Sequence, residues 1–172
     1  MNKTMFMALA ATAMLLAGCE YEAPLVKDHT IPVDAELLGV WVPVSATGVA
    51  AATDENLMVL RYSDTEYMIH HPANDEGIYY RGYPIKIGSV ACVQLEAIGT
   101  AEGPVGKDEK ERYHVASYTI ANGSLEVRTL NAKVVSDEFK TTEELHQAFL
   151  KNIGNKELFN PEPSRFRRAK PE

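Results

Sequence analysis

Five histidines, at positions 29, 70, 71, 114 and 146, are the side chains in this 172-residue sequence best suited to metal or proton chemistry. None falls in the spacing that sets two imidazoles on one face of a helix. His70 and His71 are adjacent, so on a strand they point to opposite faces. With Asp75 and Glu76 they make at most a surface metal patch, and a solvated hairpin end explains the same residues. No metal or other cofactor is expected. Gly103-Pro104-Val105-Gly106-Lys107 has the composition of a phosphate-cradling loop but not its spacing, its following Ser or Thr, or its strand-to-helix setting. No G-x-S-x-G elbow occurs. Cys92 sits in the apolar run Val90-Ala91-Cys92-Val93, with no flanking His or basic residue to lower its pKa, which predicts a buried and inert thiol. The sequence therefore predicts no catalytic site. Tyr79, Tyr80 and Tyr83 are candidates of another kind. Such rings offer a large contact area with a polar tip to a ligand or partner, although tyrosine is also a good strand former.

The chemistry that the N-terminus points to is covalent modification and export. Lys3 and the free amine precede an uncharged apolar run at 5–16, and small residues follow. That run is shorter than the roughly 20 residues a helix needs to cross a bilayer, so it reads as the core of a cleaved signal. Leu16-Ala17-Gly18-Cys19 resembles a lipobox, the signal of bacterial lipoproteins. The resemblance implies that 1–18 is cleaved, that the Cys19 thiol receives a diacylglycerol, and that its amine is acylated. More than one acyl chain makes for stable anchoring. Glu20 stands where an inner-membrane retention signal typically carries Asp, so the resemblance favours the outer membrane of a double-membraned cell. Loss of 1–18 removes one of 17 basic residues, leaving 16 against 24 acidic ones, a net charge of −8. An acidic chain is a poor match for nucleic acid, and none is expected as a partner. With Cys19 lipidated, Cys92 has no disulfide partner within the chain.

Residues 19–34 carry Pro24 and Pro32 without a hydrophobic period, which predicts a lipidated flexible tether with a reach of about 20 Å. One domain follows at 35–168, and 169–172 reads as a frayed tail. Within the domain, period-two patterning predicts strands at 37–44, 57–62, 66–71, 78–85, 90–98, 113–121, 124–131 and 164–168. Asn122-Gly123 marks a tight hairpin, and 99–110 a mobile loop. Thr141 and Glu144 form a capping box, with Leu145, Phe149 and Ile153 recurring on one face of the helix that follows. About eight strands and one helix make a mainly β barrel or strongly curved sheet.

Gly39-Val40-Trp41 resembles the G-x-W motif of lipocalins and other calycin barrels. The resemblance implies a single antiparallel meander barrel, with Trp41 closing one end and a C-terminal arginine over its ring. Arg165, Arg167 and Arg168 are the candidates for that arginine. Lipocalins place their main helix after the eighth strand, whereas here it precedes the last one. Alternation puts Trp41, Val59, Ile69, Leu95, Val115, Leu125, Val127 and Phe166 inward, and their bulk predicts a mostly filled interior. The function expected is that of a membrane-anchored envelope module docking an envelope protein. The alternative is a lipocalin-like carrier of a small apolar ligand or lipid.

Overall fold

A computed structural model describes residues 20–45, 55–106 and 112–170. The expected signal at 1–18, Cys19 and Lys107 lie outside the described residues. A 3-10 turn, Ala35–Leu37, leads into β1 (Gly39–Pro43), so the apolar run at 37–44 begins as a turn rather than as strand. β2 (Leu57–Arg61), β3 (Tyr67–His71), β4 (Ile78–Ile87) and β5 (Val90–Thr100) follow in meander order. Then come the two-residue β6 (Gly103–Pro104), β7 (Tyr113–Ala121), β8 (Ser124–Thr129), α1 (Thr142–Lys151) and β9 (Ser164–Arg168). β4 pairs with β5 and β1 with β9, so eight antiparallel strands close into a ring, while β6 only extends the end of β5. The protein is a closed meander barrel with one helix before the last strand. Closure leaves no long unpaired edge, which matters for a chain this rich in β-formers.

Local chemistry explains the turning points. Asn122 and Gly123 both adopt positive φ, 52° and 74°, which a two-residue hairpin requires for its twist to match the strands. Thr141 accepts from the Glu144 backbone N–H at 3.3 Å, which forms the N-cap half of the box, while its hydroxyl donates to the Glu144 carboxylate at 2.8 Å.

The barrel has two ends. The turns at 62–66, 88–89 and 122–123 lie at one, together with the 3-10 turn. The end of β1, the start of β2, the turn at 72–77, the end of β5, the start of β7 and the departure of β8 toward α1 lie at the other, the mouth. Two apolar cores result. Inside the ring, Trp41, Val59, Tyr67, Ile69, Tyr80, Leu95, Leu125 and Phe166 pack together. Outside it, Leu145 and Phe149 of α1 cover Tyr83, Ile85, Ile87, Cys92 and Val115 on the outer wall of β4, β5 and β7. Val115 therefore faces outward, against expectation. His114 pairs directly with inward Leu95, so β7 turns its even-numbered residues into the barrel.

Residues 20–34 are not a loose tether over this stretch. They run along the outer wall as a strap, with Tyr21 and Leu25 fully buried in the outer core. Tyr21 exchanges backbone hydrogen bonds with Tyr113 at the start of β7, and its hydroxyl donates to the Val135 carbonyl at 2.9 Å. The Gln94 side chain accepts from the Val26 N–H and donates to the Val26 carbonyl, at 2.9 and 3.0 Å. His29 stacks on Tyr83 with centroids 3.5 Å apart. The prolines prevent a regular period, but they do not prevent single apolar side chains from anchoring an extended chain. Among the described residues, no helix is long and apolar enough to cross a membrane.

Candidate functional site

The barrel interior holds a cavity of about 60 Å³. Leu57, Val59, Ile69, Val93, Leu95, Leu125, Val127 and Phe166 line it, with His71 and Tyr118 at its margins. Pockets that take drug-sized ligands run to about 300–1,000 Å³, so this one is a residual space within a packed core. The bulk of Tyr67, Tyr80 and Trp41 in the same core accounts for its size. Gly82 helps the packing, because a Cβ there would meet Ile69 Cδ1 at 2.9 Å.

Trp41, fully buried, plugs the closed end. Its indole N–H donates to the Leu37 carbonyl at 2.8 Å, tying the 3-10 turn across the opening. The Arg168 guanidinium lies over the indole with its carbon 4.4 Å from the ring centroid, a cation–π distance. Its N–H groups also donate to the Leu38 and Glu36 carbonyls. Gly39 is required in this corner. It has φ 129°, and a Cβ would come within 3.0 Å of Arg168 Nη1. Arg165 instead pairs with Glu126 at 2.8 Å, and Arg167 is exposed on the outer face of β9. Asp34 completes the closed end, its N–H donating to the Tyr67 hydroxyl and its carboxylate accepting from Tyr118 at 3.0 Å. Burial raises the pKa of both phenols, so both stay protonated, Tyr118 donating to Asp34 and Tyr67 accepting from it.

Toward the mouth, the interior becomes polar. His114 is 3% exposed, with its ring edge-on to Tyr80 at 5.7 Å and no hydrogen-bond partner for Nδ1. Burial holds its pKa down at about 4. The Glu20 carboxylate stands 3.9 Å from His114 Nε2, but it is half exposed and too well solvated to offset that burial. Burial, with Glu20 nearby, pushes Tyr80 up to about 12. His71, whose Nδ1 lies 3.4 Å from the Asn56 carbonyl, is also lowered by burial.

The tyrosine cluster is divided among three environments. Tyr80 points into the barrel and is 2% exposed; Tyr83 points outward but is 1% exposed beneath the strap. Neither has surface to offer a docking partner. Tyr79 stacks on His70 at 3.9 Å on the outer wall. His70 and His71 do face opposite ways, and Asp75 and Glu76 lie exposed in the connection beyond. Among the described residues, no group of three or more His, Cys, Asp or Glu is placed to hold a metal ion. Cys92 is buried under α1, its thiol pushed up to about 12 by burial.

Beneath the strap lies a charged network that the sequence did not reveal. Arg81 donates to both Glu66 oxygens, at 2.8 and 2.7 Å, and His29 Nδ1 lies 3.3 Å from Glu66. Arg81 holds the Glu66 carboxyl below its usual range. Glu96 accepts from the Tyr83 hydroxyl at 3.0 Å and faces Arg112 at 3.5 Å. Arg81 Nε has no partner in this network, and His29 links the strap to it through Glu66. No protein family, curated protein or solved structure matches this chain.

Proposed function

We propose that the chain is a lipid-anchored, non-catalytic accessory module of the bacterial envelope, built on a lipocalin-like barrel, that docks an envelope protein through its outer surface. The observation that carries this reading is the filled interior, because a space of about 60 Å³ cannot store a ligand of ordinary size. The Trp41–Arg168 closure supports the lipocalin-like assignment, and the lipobox with Glu20 after Cys19 supports an outer-membrane anchor. Val40 and Leu60 expose apolar surface on the outer wall of β1 and β2, with Tyr62 exposed just beyond the end of β2. That wall is the natural contact surface for a protein partner.

A second reading, carriage of a small apolar ligand, is favoured by the apolar lining of the same cavity. Titration of the protein lacking residues 1–19 with fluorescent fatty acids, read through Trp41 emission, separates the two. Weak, non-saturating signals are expected. Saturable one-to-one binding at micromolar affinity would make the barrel a carrier. The anchor has its own test: Cys19→Ser should abolish labelling by fatty acid, and unchanged labelling would remove the lipoprotein assignment.

A further inference from the structure

We infer that the mature protein stands with its barrel mouth against the membrane, held there without slack. The inference rests on the lipid-anchor reading above and adds an orientation to it. The first fixed contact of the described chain lies at the mouth. Tyr21 pairs with Tyr113, the first residue of β7, beside the edge that β8 leaves free when it ends at Thr129. Side chains alternate there as in a strand: Tyr21 turns out into the core under α1, and Glu20 turns in toward His114 and Tyr80. The backbone at residues 20–21 is thus built into the rim.

Cys19 precedes it by one residue. At about 3.3–3.6 Å per residue, the Cys19 Cα is within about 7 Å of the Tyr21 Cα. A flexible coil over 19–34 would have given a reach of about 20 Å and no preferred orientation. The strap removes that reach, because it is bound along its length through Tyr21, Leu25, Val26 and His29. Acyl chains inserted in a bilayer therefore bring the rim to the headgroups. The 3-10 turn, the Trp41 plug and the turn at 62–66 lie at the far end, pointing away.

The test uses full-length protein, processed in cells and reconstituted in phosphatidylethanolamine–phosphatidylglycerol vesicles that contain some headgroup-spin-labelled lipid. Cys92 is buried and Cys19 carries the lipid, so a single fluorophore can be placed at Asp75→Cys by the mouth or at Asp64→Cys in the turn at 62–66. Quenching by the labelled headgroups should be several-fold stronger at position 75 than at 64. A Gly/Ser insert of about ten residues between Cys19 and Glu20, with a reach of about 17 Å, should make the two positions nearly equal. Equal quenching without the insert, in protein shown by mass to be acylated and by flotation to be vesicle-bound, would overturn the orientation and leave the anchor standing. Protein that carries no acyl mass and fails to float would overturn both. Hydrogen exchange gives a second readout independent of the variants, with slowing expected at 72–77 and unchanged rates at 62–66.

Discussion

The barrel interior and the core beneath α1 are both built mainly of apolar side chains, yet the chain builds them in opposite ways. The interior comes from neighbouring strands, each contributing alternate residues, so its members are fixed pairwise by hairpin register. The outer core joins pieces far apart in sequence: Tyr21 and Leu25 from the strap, Leu145 and Phe149 from α1, and the outward residues of β4, β5 and β7. β4 and β5 are therefore apolar on both faces over part of their length, while β1 and β2 keep one face toward solvent. A closed ring supplies one core by its topology. A second has to be recruited from segments whose own pattern does not demand it.

The largest expected effects test whether the two cores are equally integral. Trp41→Ala should cost about 3–5 kcal/mol, as large aromatic truncations in cores do, and should lower protection from hydrogen exchange throughout the ring. Phe149→Ala should cost a similar or smaller amount, about 3 kcal/mol. Its local signature should differ, with exchange accelerating first at Tyr21, Val26 and Leu145 while Val59 and Ile69 stay protected. Uniform acceleration in both variants would mean one cooperative unit and would break the comparison.

Acid should strike the interior first. His114 has a folded pKa of about 4, below its ordinary value near 6.5, so the unfolded chain binds the proton first. The stability tied to neutral His114 is present above pH 6.5 and is lost as pH falls toward 4. The loss amounts to roughly 3 kcal/mol at about 1.4 kcal/mol per unit. Urea unfolding at pH 7.5 and 4.5 measures it, and His114→Leu should flatten the dependence over that window. Glu66, held down by Arg81, adds its own loss only as pH falls below the usual carboxylate range.

Smaller effects sharpen the roles of single side chains. Arg168→Ala should cost about 1–2 kcal/mol, through the ring contact and two carbonyl bonds, and should shift Trp41 emission. Arg165→Ala, which breaks only an exposed pair, should cost less than about 1 kcal/mol and leave emission unchanged. Thr141→Ala should cost about 1 kcal/mol by uncapping α1, with denaturant midpoints as the measure.

The hairpins, the capping box, the Gly39-Val40-Trp41 corner and the filled interior were legible because each depends on neighbours in sequence or on a simple alternation. Val115 was misplaced because β7 reverses the usual rule, turning His114 inward and a valine outward to meet α1. Tyr80 and Tyr83 could be read only as candidate ligand or partner contacts, because their segment gives no sign that both faces are covered. The strap was missed for a related reason. Tyr21, Leu25 and Val26 anchor an extended chain at irregular intervals, a pattern that composition alone cannot distinguish from a linker. Gln94, a lone amide within the apolar run of β5, was the one local hint that a backbone would lie across that strand.

The pairing of β1 with β9 also sets the order of events in making the protein. Residues 39–43 leave the ribosome early, and their second partner, 164–168, is among the last segments made. Every other strand can find a neighbour as it appears, but the ring cannot close until more than a hundred further residues have followed. Such distant pairings form slowly. If the chain is exported as proposed above, that delay keeps it open and threadable until its last strand is through. A chain cut before Ser164 should never pass that point. It would expose the edges of β1 and β8 together and fail by aggregation rather than by loss of a tail.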